Sequence, residues 1–506
     1  MDRLTWVTKA CGVFFLWAAT AAALPAQTFT SLYSFDGTDG ANPYVGLVQA
    51  AGGNLYGTTS FGGATDCLAD NGCGTIFKIT PSGMLTTLYI FCSGENESCP
   101  YGGFPSEGLI QATDGNFYGT ANGGGANTCS PFGGCGTVFR MTPGLTLTAL
   151  HSFDGTDGDL PDAGLAQGAD GNFYGTTAFG GANTNKDCAN GCGTVFTVTP
   201  SGQLTTLHSF DGTDGAGPVA SLALGTDGNF YGTTSTGGHV NSKHCSQSDF
   251  GYTCGTVFKI TPGGVLTTLH KFCSQTDCTD GFYPYYGLVQ GNDGNFYGTT
   301  WGGGAKGCGT VFKMTPSGVL TTLYSFAGYP TDGALPAASL ALGTDGNFYG
   351  ETSTGGANNY GTLFEITPSG TLTTLYDFDG TDGSYAEGGL VQDTNGTFYG
   401  TTANGGANSN CDDGYGCGTV FSLSVGLGLF VKTNPVAGKV AAKVGILGTD
   451  LTGATAVTFN GIAAEFKVVS PTLIATKVPS GATTGPVQVQ LHNGTLSSNV
   501  SFIVLR

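Results

Sequence analysis

The residues best suited to chemistry in this chain are acids, cysteines and one aromatic cluster. Asp-Gly-Thr-Asp-Gly occurs four times and supplies Asp36 and Asp39, Asp154 and Asp157, Asp211 and Asp214, and Asp379 and Asp382. Closely spaced carboxylates in a glycine turn ligate Ca²⁺ through hard oxygens, so calcium is a candidate cofactor, although none is required. An Asp in such a turn also bonds its own backbone, which is the competing reading. Phe282, Tyr283, Tyr285 and Tyr286 share one loop and Trp301 stands just before another, where sister segments have Ser or Ala. Flat aromatic faces with polar tips suit a sugar ring or a protein contact; packing between repeats is the alternative.

Cysteine spacing is equally informative. Fourteen cysteines form close pairs: Cys67/Cys73, Cys92/Cys99, Cys129/Cys135, Cys188/Cys192, Cys245/Cys254, Cys273/Cys278 and Cys411/Cys417, with Cys308 left over. In an exported chain these spacings predict local disulfides that clip individual loops. Zinc ligation fits poorly, because only His244 adjoins a cysteine and no second half-site completes four ligands. His151, His208 and His270 occupy the position of Tyr33, Tyr89, Tyr324 and Tyr376 in sister segments, which argues against a catalytic set. No nucleophile elbow, HExxH or phosphate loop is present. Carboxylate pairs for glycoside hydrolysis can be assembled from several loops, and the sequence selects none, so no catalytic residue is named.

The elements that must position these residues follow from composition. Of 506 residues 89 are Gly, 11% are aromatic and 10% are charged. That much glycine is costly in helices, and that many aromatic residues can bury a core, so a turn-rich all-β protein is expected rather than a helical or disordered one. Residues 1–26 read as a signal peptide: Arg3 and Lys9 precede a short apolar run that ends at Leu24-Pro25-Ala26. No later stretch is long and apolar enough to span a membrane.

Internal repetition organises the rest. The segment DGNFYGTT recurs with its tyrosine at Tyr56, Tyr118, Tyr174, Tyr231, Tyr297, Tyr349 and Tyr399, and each copy is followed by Gly-Thr-(Val/Ile/Leu)-Phe. Four strands per unit are predicted; in the third they are Leu147–Phe153, Gly164–Gln167, Asn172–Thr177 and Gly193–Thr199, the second and third joined by a two-residue Asp-Gly hairpin. Seven such units predict a seven-bladed β-propeller over residues 27–428, with Thr28 to Phe35 completing the last blade. Tight turns then emerge on one face and variable, disulfide-clipped loops on the other, where recognition is expected.

The repeats resemble the GloVer tandem-repeat family of exported bacterial proteins, through DGNFYGTT, GTVFKITPSG and LTTLYSF. The resemblance implies an exported or surface propeller and brings no catalytic residue. Residues 429–506, with Asn434-Pro435, Gly448-Thr449 and Thr472 to Pro479, resemble an IPT/TIG immunoglobulin-like domain, a small β-sandwich. From Gln27 to Phe430 there are 32 acids against 8 bases, and from Val431 onward 2 against 6. An acidic propeller repels nucleic acid. The expectation is a monomeric, secreted or cell-surface protein whose loop face engages a carbohydrate or protein. The alternatives are a carbohydrate-active hydrolase or lyase using loop carboxylates, and a structural envelope protein.

Overall fold

A computed structural model describes residues 27–63, 72–93, 99–129, 134–184, 188–238, 247–248, 251–252, 254–408, 411 and 414–505. Residues 1–26, the expected signal peptide, lie outside the described residues. The third unit shows how sequence becomes sheet. Ala166–Gln167, Phe173–Thr177, Thr194–Val198 and Leu204–Ser209 pair antiparallel in that order. The outer strand is thus lent by the following sequence unit. Six further sheets repeat the plan, and the sixth adds Gly333–Pro336. The last sheet takes its outer strand from the chain start, where Thr28–Ser34 pairs with Thr419–Ser424. Every repeat sheet therefore has at least four strands, and the expected completion of the last one is observed.

Alternation in the Phe-Tyr-Gly-Thr-Thr strand explains why the sheets pack side by side. Its tyrosine stacks on the phenylalanine of the next sheet's equivalent strand, as in Tyr174–Phe230 at 4.1 Å, Tyr231–Phe296 at 3.9 Å and Tyr297–Phe348 at 4.0 Å. Between the last sheet and the first, Tyr399 shares a core with Leu55, which stands at the phenylalanine position. The series of sheets closes on itself. The final threonine of the strand bonds the threonine of Gly-Thr-Val-Phe, for example Thr177 to Thr194 at 2.9 Å.

The Asp-Gly hairpin differs from expectation. Gln167 pairs with Phe173, so five residues lie between them, and Gly171 alone has positive φ, at 84°. The physical reason is the aspartate. Asp170 accepts from the Asn172 N–H at 3.1 Å and from the Tyr174 hydroxyl at 3.0 Å, which opens the turn and fixes the tyrosine. The motif's carboxylate is structural.

The C-terminal sandwich packs two four-stranded sheets, Lys432–Asn434, Lys443–Leu447, Leu473–Lys477, Phe466–Ser470 and Ile462–Ala464, Ala454–Phe459, Val487–Leu491, Gly494–Ser497. Val444, Ile446, Phe459, Ile474 and Val489 fill its core. It sits on the tight-turn face of the ring. Asn434 Nδ2 donates to Gln111 O at 2.7 Å, Thr472 Oγ1 to Ala51 O at 2.7 Å, and Asn499 Nδ2 to Leu342 O at 2.9 Å. The variable-loop face is left uncovered by it.

Candidate functional site

The sequence-predicted acids fold into closed turns. Asp154 Oδ1 accepts from Thr156 N, Thr156 Oγ1 and Asp157 N at 2.9, 2.7 and 3.2 Å. Asp157 accepts from Asp154 N at 3.0 Å and from His151 Nε2 at 2.7 Å. The Asp211–Asp214 turn repeats this with His208. Asp36–Asp39 and Asp379–Asp382 repeat it with the hydroxyls of Tyr33 and Tyr376. His and Tyr alternate at that position because either ring can reach the same carboxylate. The Asp36, Asp154 and Asp379 carboxyls are held below the usual range, first by the threonine hydroxyl. These oxygens are already engaged by the turn, before any metal is considered.

Five of the predicted disulfides join Cys92–Cys99, Cys129–Cys135, Cys188–Cys192, Cys273–Cys278 and Cys411–Cys417. Cys73 and Cys254 are disulfide-bonded as well, and Cys67 and Cys245 lie outside the described residues. Cys308 is a free, partly buried thiol. Its carbonyl accepts from Leu335 N at 2.8 Å, the bond that Cys135 makes to Leu160 at 3.3 Å. Cys308 therefore occupies the second position of a pair whose first member is missing.

The aromatic cluster separates into three environments. Phe282 covers Gly302 and belongs to the core between sheets, so for this residue packing prevails. Tyr283 and Tyr285 stack at 5.8 Å, and Trp301 meets Tyr285 edge-on at 6.4 Å with 37% of its surface exposed. Tyr286 turns inward. Burial raises its hydroxyl pKa well above the ordinary value, with smaller contributions from the charges of Glu387, Glu107 and Glu351.

Those three glutamates surround the inner end of the ring. Two residues before each innermost strand stands Gly46, Gly108, Gly164, Ser221, Gly287, Ser339 or Gly389, and these residues crowd together. A Cβ on Gly46 would stand 2.8 Å from Gly388 O, and one on Gly287 3.0 Å from Ser221 O. Glu107 and Tyr286 lie one residue before this collar and Glu387 two before it, on the variable-loop side. Glu107 bonds the Gly108 N–H and the Ser221 hydroxyl, yet burial still pushes its carboxyl up to about 8. Burial also raises Glu387 to about 7.

Glu351 is the clearest departure from the repeat. Six sister residues at its position are threonines that donate to the neighbouring sheet, as Thr120 does to Ala163 O at 2.9 Å and Thr401 to Val45 O at 3.1 Å. Glu351 is 1% exposed and accepts instead from Gly389 N at 3.0 Å through Oε2. Its Oε1 has no hydrogen-bond partner, and burial raises the carboxyl to about 8. Sequence reading did not select these glutamates. Comparing the repeats column by column, as for Trp301, exposes Glu351; the convergence of Glu107, Tyr286 and Glu387 is visible only in three dimensions.

Among solved structures, a fungal alcohol oxidase of the AA5 family in complex with copper superposes with a TM-score of 0.47 and 12% identity, covering 95% of this chain and 99% of that one. The extracellular domain of a protein described as a hybrid two component system from B. thetaiotaomicron gives 0.47 and 12%, covering 94% and 57%. A gluconolactonase from Xanthomonas campestris gives 0.38 and 12%, covering 80% and 92%. None of these likenesses transfers an activity. No curated protein matches the chain. The Gloeobacter/Verrucomicrobia repeat model matches residues 8–183, 71–246 and 243–438 and the IPT/TIG model residues 430–504, so the chain belongs to the Gloeobacter/Verrucomicrobia repeat family and ends in an IPT/TIG domain.

Proposed function

We propose that this is an exported binding protein that takes a carbohydrate at the mouth of the ring, on the variable-loop face. The observation that carries the reading is the continuity from Trp301 and Tyr285 at the surface to Tyr286 and Glu107, Glu351 and Glu387 at the inner collar. A sugar ring stacks on an aromatic face while its hydroxyls bond carboxyl oxygens below, and that division of labour matches this arrangement. Several disulfides suit an oxidising exterior. Retention on a panel of insoluble polysaccharides, with and without Ca²⁺, tests the reading. Wild type is retained by at least one polymer, and Trp301→Ala and Tyr285→Ala reduce retention at least tenfold. Unchanged retention in both variants removes the aromatic mouth as the site, and retention on no polymer leaves a protein ligand in its place.

A second reading has one specific observation behind it. A carboxylic acid kept protonated near neutral pH, as at Glu107 and Glu387, is what a glycosidase needs for its general acid. Soluble oligosaccharides appearing with the wild type and absent with Glu107→Gln would favour it.

A further inference from the structure

We infer that the cavity between the ring and the C-terminal sandwich is a binding site for a small monocarboxylate with an apolar tail, held by Lys432. This site is separate from the loop-face mouth and does not depend on its function. The cavity measures about 250 Å³. Leu340, Leu342, Leu390 and Val391 of the ring and Val436 and Val500 of the sandwich supply apolar walls. Lys432, which opens the sandwich strand Lys432–Asn434, contributes the cation.

The polar side chains around the cavity are unequally engaged. Gln392 Nε2 donates to Gly396 O at 3.2 Å and its Oε1 accepts from Thr344 N at 3.2 Å. Asn499 Nδ2 donates to Leu342 O at 2.9 Å, and Ser498 Oγ to Val500 O at 2.7 Å. The Lys432 ammonium has no hydrogen-bond or ion-pair partner among the described residues; it lies 5.7 Å from the centre of the Phe430 ring. A half-buried amine without an acceptor loses hydration uncompensated, and desolvation accordingly lowers its pKa to about 8. The charged group facing it from the ring is Asp393, which opposes that shift, and the sandwich lining brings no other titratable side chain.

The ligand class follows from these features. An acceptor must come from outside, because no acceptor among the described residues lies within bonding distance of the ammonium. It must carry little charge, since Asp393 repels a multiply charged anion such as phosphate. The rest of the molecule must be apolar to match the walls, and a carboxylate on a chain of about six carbons meets these conditions in the volume present.

Calorimetric titration of the full chain with hexanoate at pH 6.5 tests the site. One saturable site is expected. Hexanol and inorganic phosphate each bind at least tenfold more weakly, and hexanoate affinity falls as pH rises to 9.5 and the ammonium is lost. Lys432→Met weakens hexanoate at least tenfold. Val500→Trp, which fills the partly exposed cavity rim and keeps the amine, does the same and guards against misfolding of the first variant. Equal affinity for hexanol, full binding by either folded variant, or no saturable binding overturns the inference.

Discussion

At the scale of single residues, Glu351 makes the most direct claim. Its ordinary pKa is 4.5 and burial raises it to about 8 in the folded chain. Between those values the native state holds a proton that the unfolded state has released, so stability falls as pH rises from about 4.5 to about 8 and levels above that. Glu107, Glu387 and Asp162 shift in the same direction. The midpoint of urea unfolding should therefore be higher at pH 5 than at pH 8; a higher midpoint at pH 8 contradicts the burial of these carboxyls. Glu351→Thr restores the hydroxyl of the sister sheets and removes an orphaned acceptor, worth about 1–3 kcal/mol near pH 8 and less at pH 5. A variant no more stable than wild type at pH 8 would show that Glu351 is accommodated without cost. Sequence made the Asp turns legible, because each bonds groups within six residues of itself. The glutamates were not legible in the same way, since their meaning depends on which residues from distant repeats surround them.

At the scale of elements, the packing between sheets carries stability and the loop clips refine it. Tyr231 stacks on Phe296 and bonds Asp227 at 3.0 Å, so Tyr231→Ala should cost about 3–5 kcal/mol in chemical denaturation. A cost below about 1 kcal/mol would mean that adjacent sheets do not depend on this contact. Replacing Cys129 and Cys135 with serine releases a short clip and should cost about 2 kcal/mol while leaving the circular dichroism spectrum unchanged. Loss of the β signal would instead make that disulfide a folding requirement. The strands of the third unit were legible to within two residues, because alternation and turn residues are local signals. The hairpin was misjudged: Asp-Gly was read as a two-residue turn, whereas the Asp170 side chain holds a longer one.

At the scale of the molecule, closure and docking decide what the ring can do. Removing Thr28–Ser34 strips the outer strand from the last sheet and leaves Thr419–Ser424 as an open edge. The truncated chain should unfold over a broader temperature range and aggregate; unchanged cooperative melting would mean that the seam contributes little. Closure was legible because an unmatched strand at the start complements a missing one at the end. Docking of the sandwich on the tight-turn face was not, as contacts such as Asn434 to Gln111 join residues 323 positions apart without a sequence signature. That docking leaves the variable-loop face as the open approach to Tyr286 and the glutamates. Trp301 reports directly on the mouth in a chain that begins at Gln27, since the other two tryptophans, Trp6 and Trp17, lie within residues 1–26. Its fluorescence in that shortened chain, titrated with soluble fragments of whichever polysaccharide retains the protein, is the decisive measurement. Saturable change in Trp301 emission at the concentrations that compete for retention is the predicted result; competition with unaltered emission would put the binding surface elsewhere.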